Sequence, residues 1–177
     1  MGIAKITARK IDNTEAALLS QVALKAYNDH YLHLWFDNGE WYKQRCFTKE
    51  VLQDELANPN NLFFLACLDN EPVGFLKLRI DAALETEPTK NGMELERIYL
   101  TKAASGKGIG KHLMELSFNI GHENHKEIIW LKAMDSSHGP LNFYKKMGFE
   151  LCGTSRLSFE QMKEELRGMI IMKKELR

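Results

Sequence analysis

The sequence predicts a mixed α/β sheet in one domain, and three observations carry that prediction. Strand-like and helix-like segments alternate irregularly over 177 residues, a length that buries its own core as a single unit. Two apolar runs in the middle, separated by Asp69-Asn70-Glu71, read as an antiparallel hairpin, so the sheet is not uniformly parallel. A bare turn, SGKGIGKHL from Ser105 to Leu113, follows a period-two segment and runs into a helical pattern. No internal repeat, low-complexity tract or linker divides residues 1–177.

The elements follow in order. Ile6 to Ile11 is a short strand. Asp12 with Glu15 resembles a capping box, opening a helix to about His30. Seven aromatics (Tyr27, Tyr31, Trp35, Phe36, Trp41, Tyr42 and Phe47) crowd the next segment. Thr48 caps a helix over KEVLQDELA, which Asn58-Pro59 ends. After the hairpin, AALETEPTKNG is a polar loop. MELERIYL alternates at period two, with Met93, Leu95 and Ile98 marking its apolar side. Past the glycine turn, Ile109, Leu113, Leu116 and Ile120 fall at helical spacing. EIIWLKAM is a strand, GPLNFYKKMG a short helix closed by Gly148, and FELCGTS a strand. SFEQMKEELRG reads as a short polar helix and MIIMKKEL as a terminal strand.

Composition narrows the function. Lys plus Arg and Asp plus Glu both number 24, so nothing electrostatic points to nucleic acid or an acidic membrane. Cys46, Cys67 and Cys152 are scattered and odd in number, which reads as reduced thiols rather than a disulfide frame or metal site. The first ten residues hold no apolar signal region and no long apolar window occurs, so the expected compartment is the cytoplasm.

The glycine turn is the main chemical signal. Glycine lets backbone amides approach a ligand, and a helix N-terminus attracts anions, so the turn reads as a phosphate site. It is not an ATP-type loop: with Gly110-Lys111 at that motif's end, Ser105 replaces the first glycine and His112 the magnesium-binding hydroxyl. The dinucleotide fingerprint fails too, because its third glycine would fall on Lys111 or Leu113.

The order of LERIYL, SGKGIGKHL, IIWLKA and NFYKKMGF resembles the GNAT N-acetyltransferase superfamily. Gly108 and Gly110 match that family's Gln/Arg-x-x-Gly-x-Gly/Ala motif, whereas Ser105 departs from its first position. FYKKMGF, Phe143 to Phe149, matches another family motif in full. NPNNLFFLACLDNEPVGFLKL, ELERIYL and FYKKMGF look like the spermine/spermidine acetyltransferase branch.

The resemblance implies a GNAT fold, with acetyl-coenzyme A lying between two splayed parallel strands, here ERIYL and IIWLKA. Ile98, Tyr99 and Leu100 would border the pantetheine, the backbone groups of Ile98 and Leu100 pairing with its amides. Ser105, Gly106, Lys107, Gly108, Ile109, Gly110 and Lys111 would hold the pyrophosphate. Tyr144 would be the acid that protonates the leaving thiolate. Ser137 replaces an Asn that the family often has there; Asn142 is a partial substitute, and Lys146 would meet a coenzyme A phosphate. For the base, Glu94 and Glu96 border the reactive carbonyl, while His30 and His33 have suitable ordinary pKa values.

The aromatic-rich segment sits where the family builds its acceptor lid. Asp29, Asp37 and Glu40 among the rings would suit a cationic amine, with spermidine or spermine the first acceptor. The other reading of that segment is a pair of core-covering helices with solvated acids. Rival functions are a non-catalytic coenzyme-A-binding module, or acetylation of protein N-termini or another small amine. The expected partners are a small amine and, for assembly, nothing or a second copy.

Overall fold

The computed structural model describes residues 2–177. Its elements are β1 (Ile6–Ile11), α1 (Ala16–His30), α2 (Glu40–Cys46), α3 (Lys49–Ala57), β2 (Asn61–Leu68), β3 (Glu71–Arg79), β4 (Gly92–Leu100), α4 (Ile109–Glu123), β5 (Ile128–Met134), α5 (His138–Lys146), β6 (Glu150–Arg156) and β7 (Gly168–Glu175). The strands form one mixed sheet in the order β1-β2-β3-β4-β5-β7-β6, in which only β4 and β5 run parallel.

Local chemistry explains most boundaries. Thr48 Oγ1 accepts from Val51 N at 3.3 Å and starts α3. Asp69 and Asn70 both take left-handed backbone, φ 50° and 70°, which a two-residue hairpin turn of this hand needs and which Asx residues tolerate. The expected capping box forms only in part. Asp12 accepts from Thr14 N at 2.9 Å over a single 3-10 turn, but Glu15 pairs with Arg9 at 2.6 Å.

Each face of the sheet carries its own core. On one side Ile109, Leu113 and Met114 of α4 pack with Tyr144 of α5 against Leu76, Leu78, Met93 and Leu95. On the other, Leu19, Ala23 and Tyr27 of α1 and Leu52 of α3 pack against Phe63, Leu65 and Phe75.

Two irregularities position the site. β4 pairs with β5 only at Gly92↔Ile128, Met93↔Ile129 and Glu94↔Trp130; β5 then continues along β7 to Met134 while β4 diverges. Against β3, Lys77 faces Arg97 but Leu78 faces Leu95, so Glu96 is an extra, bulged residue. The bulge explains why the apolar face of β4 runs Met93, Leu95, then Ile98 and Leu100.

One expected element is absent. The segment read as a polar helix, SFEQMKEELRG, is an irregular strap with a single 3-10 turn at Glu164–Leu166. Tertiary contacts override its helical propensity. Phe36 N donates to Gln161 O at 3.0 Å, and Lys163 N to Leu34 O at 2.9 Å. The Arg167 guanidinium holds the Met162 carbonyl at 2.8 Å, and Phe159 packs 5.2 Å from the Trp41 ring.

β3 and β4 approach so closely at Gly74 that an added Cβ would collide with the Tyr99 carbonyl oxygen and the Leu100 side chain. Gly74→Ala is therefore expected to destabilise by about 1–3 kcal/mol, the usual cost of overpacking. A thermal melt checks this: a chain of this size loses roughly 2–4 °C per kcal/mol.

Candidate active site

Thr101 N donates to Val73 O at 2.8 Å, which directs that residue's backbone polar groups toward β3. Alternation along an extended strand then directs those of Tyr99 and Arg97 the same way, and those of Leu100 and Ile98 into the gap beside β5. Unpaired amides at such a depth require partners. A flexible ligand carrying its own amides can supply them.

The glycine turn stands at one end of this gap. Gly106 and Gly108 are left-handed, φ 75° and 81°, and Gly108 begins α4 with no side-chain cap. The first-turn amides of Ile109, Gly110 and Lys111 therefore lack intrahelical partners and point outward, as an anion site needs. Buried Ile109 anchors the turn, while Ser105, Lys107 and Lys111 are exposed. A Cβ on Gly110 would lie 3.5 Å from the Phe143 ring and 4.0 Å from Leu100 Cδ1, so the turn faces both α5 and the end of β4.

The gap widens into a cavity of about 270 Å³ lined by Glu96–Tyr99, Leu131–Met134, Ser137, Pro140 and Tyr144. Its far wall is aromatic: Tyr27, Tyr31, Trp35, Tyr42 and Phe159, with Met162 of the strap. Trp35 Nε1 donates to the Tyr27 hydroxyl at 2.8 Å. Among the described residues the Tyr144 hydroxyl has no hydrogen-bond partner, although its residue is only 8% exposed. Burial, and then the neighbouring Tyr31, push the Tyr144 phenol upward, so it stays protonated at neutral pH. Burial likewise raises Tyr27, Tyr31, Tyr42 and Tyr99.

Glu96 lines the cavity, and Lys77 Nζ lies 2.6 Å from its Oε2. Glu94 stands apart from the cavity lining. Its carboxylate accepts from Arg79 at 3.0 Å, and burial followed by the Glu96 charge raises its pKa. Of the remaining sequence candidates, Ser137 is on the cavity wall and leaves α5 uncapped, whereas Asn142 and Lys146 are exposed on α5. His30 and His33 are exposed and do not line the cavity.

The three acids of the aromatic segment have other tasks. Asp29 accepts from Lys102 N at 2.9 Å, Asp37 from Gly39 N and Trp41 N, and Glu40 pairs with Lys43. None lines the cavity. Sequence reasoning missed Lys77, Arg97 and Glu55, although a lysine inside the apolar run GFLKLRI is itself a signal for a buried counter-charge.

The model of the Acetyltransferase (GNAT) family matches residues 23–149. The chain belongs to the GNAT family. Its sequence is 35% identical over 107 residues to an uncharacterized N-acetyltransferase from the pepI 3' region of Lactobacillus delbrueckii subsp. lactis, covering 60% of this chain and 62% of that protein. It is 23% identical over 127 residues to an uncharacterized N-acetyltransferase of Methanocaldococcus jannaschii, covering 69% of this chain and 56% of that one. The matched segment thus spans less than two thirds of either curated relative. The GNAT fold recurs in the PaiA N-acetyltransferase of Thermoplasma acidophilum, solved with coenzyme A: TM-score 0.76, 24% identity, 97% of this chain and 99% of that one. It recurs in an N-acetyltransferase of Staphylococcus aureus Mu50 with TM-score 0.71 and 13% identity, covering 97% and 98% of the two chains. Acetyl-coenzyme A is the GNAT cofactor, and the gap and glycine turn described above fit its amide-bearing arm and its pyrophosphate. Among the described residues, no helix is long and apolar enough to cross a membrane.

Gly108 tests the fit directly, since a β-branched residue is strained at φ 81°. Coenzyme A at 100 times its dissociation constant should stabilise the chain by about 2.7 kcal/mol. In Gly108→Val this thermal shift should vanish. ATP and NAD should give none in either protein.

Proposed function

We propose that the chain transfers the acetyl group of acetyl-coenzyme A to a primary amine. The observation that carries the reading is the opening of the strand gap onto a cavity with the free Tyr144 hydroxyl on its wall. Acetyl-coenzyme A supplies a thioester whose carbonyl an amine attacks and whose thiolate leaves. The amides of Ile98 and Leu100 orient the pantetheine, with Tyr99 between them facing the aromatic wall. The turn from Ser105 to Lys111 holds the pyrophosphate through its amides, Lys107 and Lys111 adding charge. Asn142 and Lys146 stand on the exposed side of α5, where they serve the outer part of the cofactor. Tyr144 holds a proton at its hydroxyl for the departing sulfur.

An alkylamine arrives protonated, since its ordinary pKa is near 10, and must lose a proton before it attacks. Glu96 takes this role in our reading because it lines the cavity, directly or through one water. Glu94 does not line the cavity and is held by Arg79, so it acts on Glu96 only through its charge.

The acceptor is a small amine. The strap closes over the aromatic wall, which leaves a pocket for a molecule rather than a groove for a folded protein. Spermidine and spermine enter through the branch resemblance, and the tyrosine faces offer cation–π contact. The loss of Asp29, Asp37 and Glu40 to structural roles removes the acidic surplus expected for a polycation. An amine panel settles the order. Small monoamines and spermidine should release thiol, and N-terminal peptides should not. Peptide turnover, or coenzyme A binding with no thiol release from any amine, would contradict the reading.

Tyr144→Phe keeps the ring packing and removes one oxygen. Turnover should fall roughly 10²-fold, about 2.7 kcal/mol of transition-state stabilisation. The Michaelis constant and the coenzyme A thermal shift should stay unchanged. A lower melting temperature with full turnover would make Tyr144 structural.

A further inference from the structure

At the cavity wall four charged side chains share one cluster, in which Lys77 and Arg97 are buried and Glu55 and Glu96 half-buried. Glu55 of α3 lies 3.1 Å from Lys77 Nζ and 3.1 Å from the Arg97 guanidinium through the same Oε2. Lys77 in turn lies 2.6 Å from Glu96 Oε2. Lys77 and Arg97 are 4% and 8% exposed, so neither can turn to water for compensation. The rings of Phe63 and Phe47 close over them at 5.5 and 5.4 Å. Two acids and two bases balance to zero.

Glu55 does not line the cavity, yet it touches both cations that flank Glu96. We infer that Glu55 is a positioning residue for the transfer, acting on Glu96 through Lys77 and Arg97. The inference rests on Glu96 being the proton acceptor. Glu96 Oε2 is buried against Lys77 and has no other partner, which leaves the second carboxylate oxygen for the cavity. That division holds only while Glu55 occupies the remaining valence of both cations. Without Glu55, one carboxylate faces two buried cations, and both of its oxygens are drawn into pairing with them. The other charged groups around Glu96 are Glu94 on its own strand, with Arg79 and Lys132 near Glu94. Tyr42 and Tyr99 are the titratable groups that border Arg97. None of these bridges Lys77 to Arg97.

The test is a charge-balance cycle with Glu55→Gln, Lys77→Gln and the double variant, using the best amine of the panel and acetyl-coenzyme A. Glu55→Gln leaves the cluster with one excess positive charge, and kcat should fall about tenfold or more. The Michaelis constant for acetyl-coenzyme A and the coenzyme A thermal shift should not move. Lys77→Gln leaves one excess negative charge and should also lose turnover. The double variant is neutral again, and its kcat should return to within about threefold of the unmodified chain. Recovery in the double variant is the signature of coupling, since independent structural losses add. Unchanged turnover in Glu55→Gln overturns the inference, and so does a double variant worse than either single one. If Glu55→Gln fails to fold, Lys77→Gln and the double variant decide alone by the same recovery. Absence of turnover in the unmodified chain with every amine instead overturns the transfer reading, and this inference falls with it.

Discussion

Backbone amides and carbonyls at the middle of a sheet are costly to leave unpaired. In this chain the parallel ladder between β4 and β5 ends at Glu94 and Trp130, with the rest of both strands still to run. Everything that defines the site follows from that early ending. The split exposes the inward groups of Ile98 and Leu100, gives the cavity its two walls, and brings the glycine turn to the outer end of the gap. The bulge at Glu96 belongs to the same event. An extra residue in β4 increases local twist and moves the strand away from β5.

The bulge also decides which side chains meet. It keeps Met93, Leu95, Ile98 and Leu100 on the α4 side and sends Arg97 and Tyr99 to the α1 side. There Tyr27, Tyr31, Tyr42 and Tyr99 make a largely apolar wall that raises each phenol by burial. A low-dielectric wall is costly for bare charge, so the ionised groups next to it are paired: Glu96 with Lys77, and Arg97 with Glu55. Chemistry that moves a proton off an amine and onto a thiolate suits such a place, because few waters compete.

Much of this was legible in the residues. Periodicity and caps placed nearly every strand and helix, and the glycines from Gly106 to Gly110 marked the tight turn that opens α4. The strap was not legible. Phe159, Met162 and Leu166 have spacing that a helix would also give, and the extended path is fixed by contacts distant in sequence: backbone bonds to Leu34 and Phe36 and the rings of Trp35 and Trp41. The roles of Asp29, Asp37 and Glu40 were hidden for a related reason: short-range capping and pairing leave no mark distinct from a solvated acid. The bulge did leave a mark. Apolar positions at 93 and 95 followed by 98 break the period of two by one residue, and that slip separates the surroundings of Glu94 from those of Glu96.

The claim most open to direct measurement is that the gap in the sheet receives the cofactor's amide-bearing arm. Residue-resolved amide hydrogen exchange, with and without coenzyme A, reads it without any assumption about the acceptor. Ile98 and Leu100, whose amides face the gap, should gain protection when coenzyme A binds. Arg97 and Tyr99, directed toward β3, should exchange at unchanged rates. Coenzyme A binding that leaves Ile98 and Leu100 unprotected, or protects Arg97 and Tyr99 instead, would contradict it.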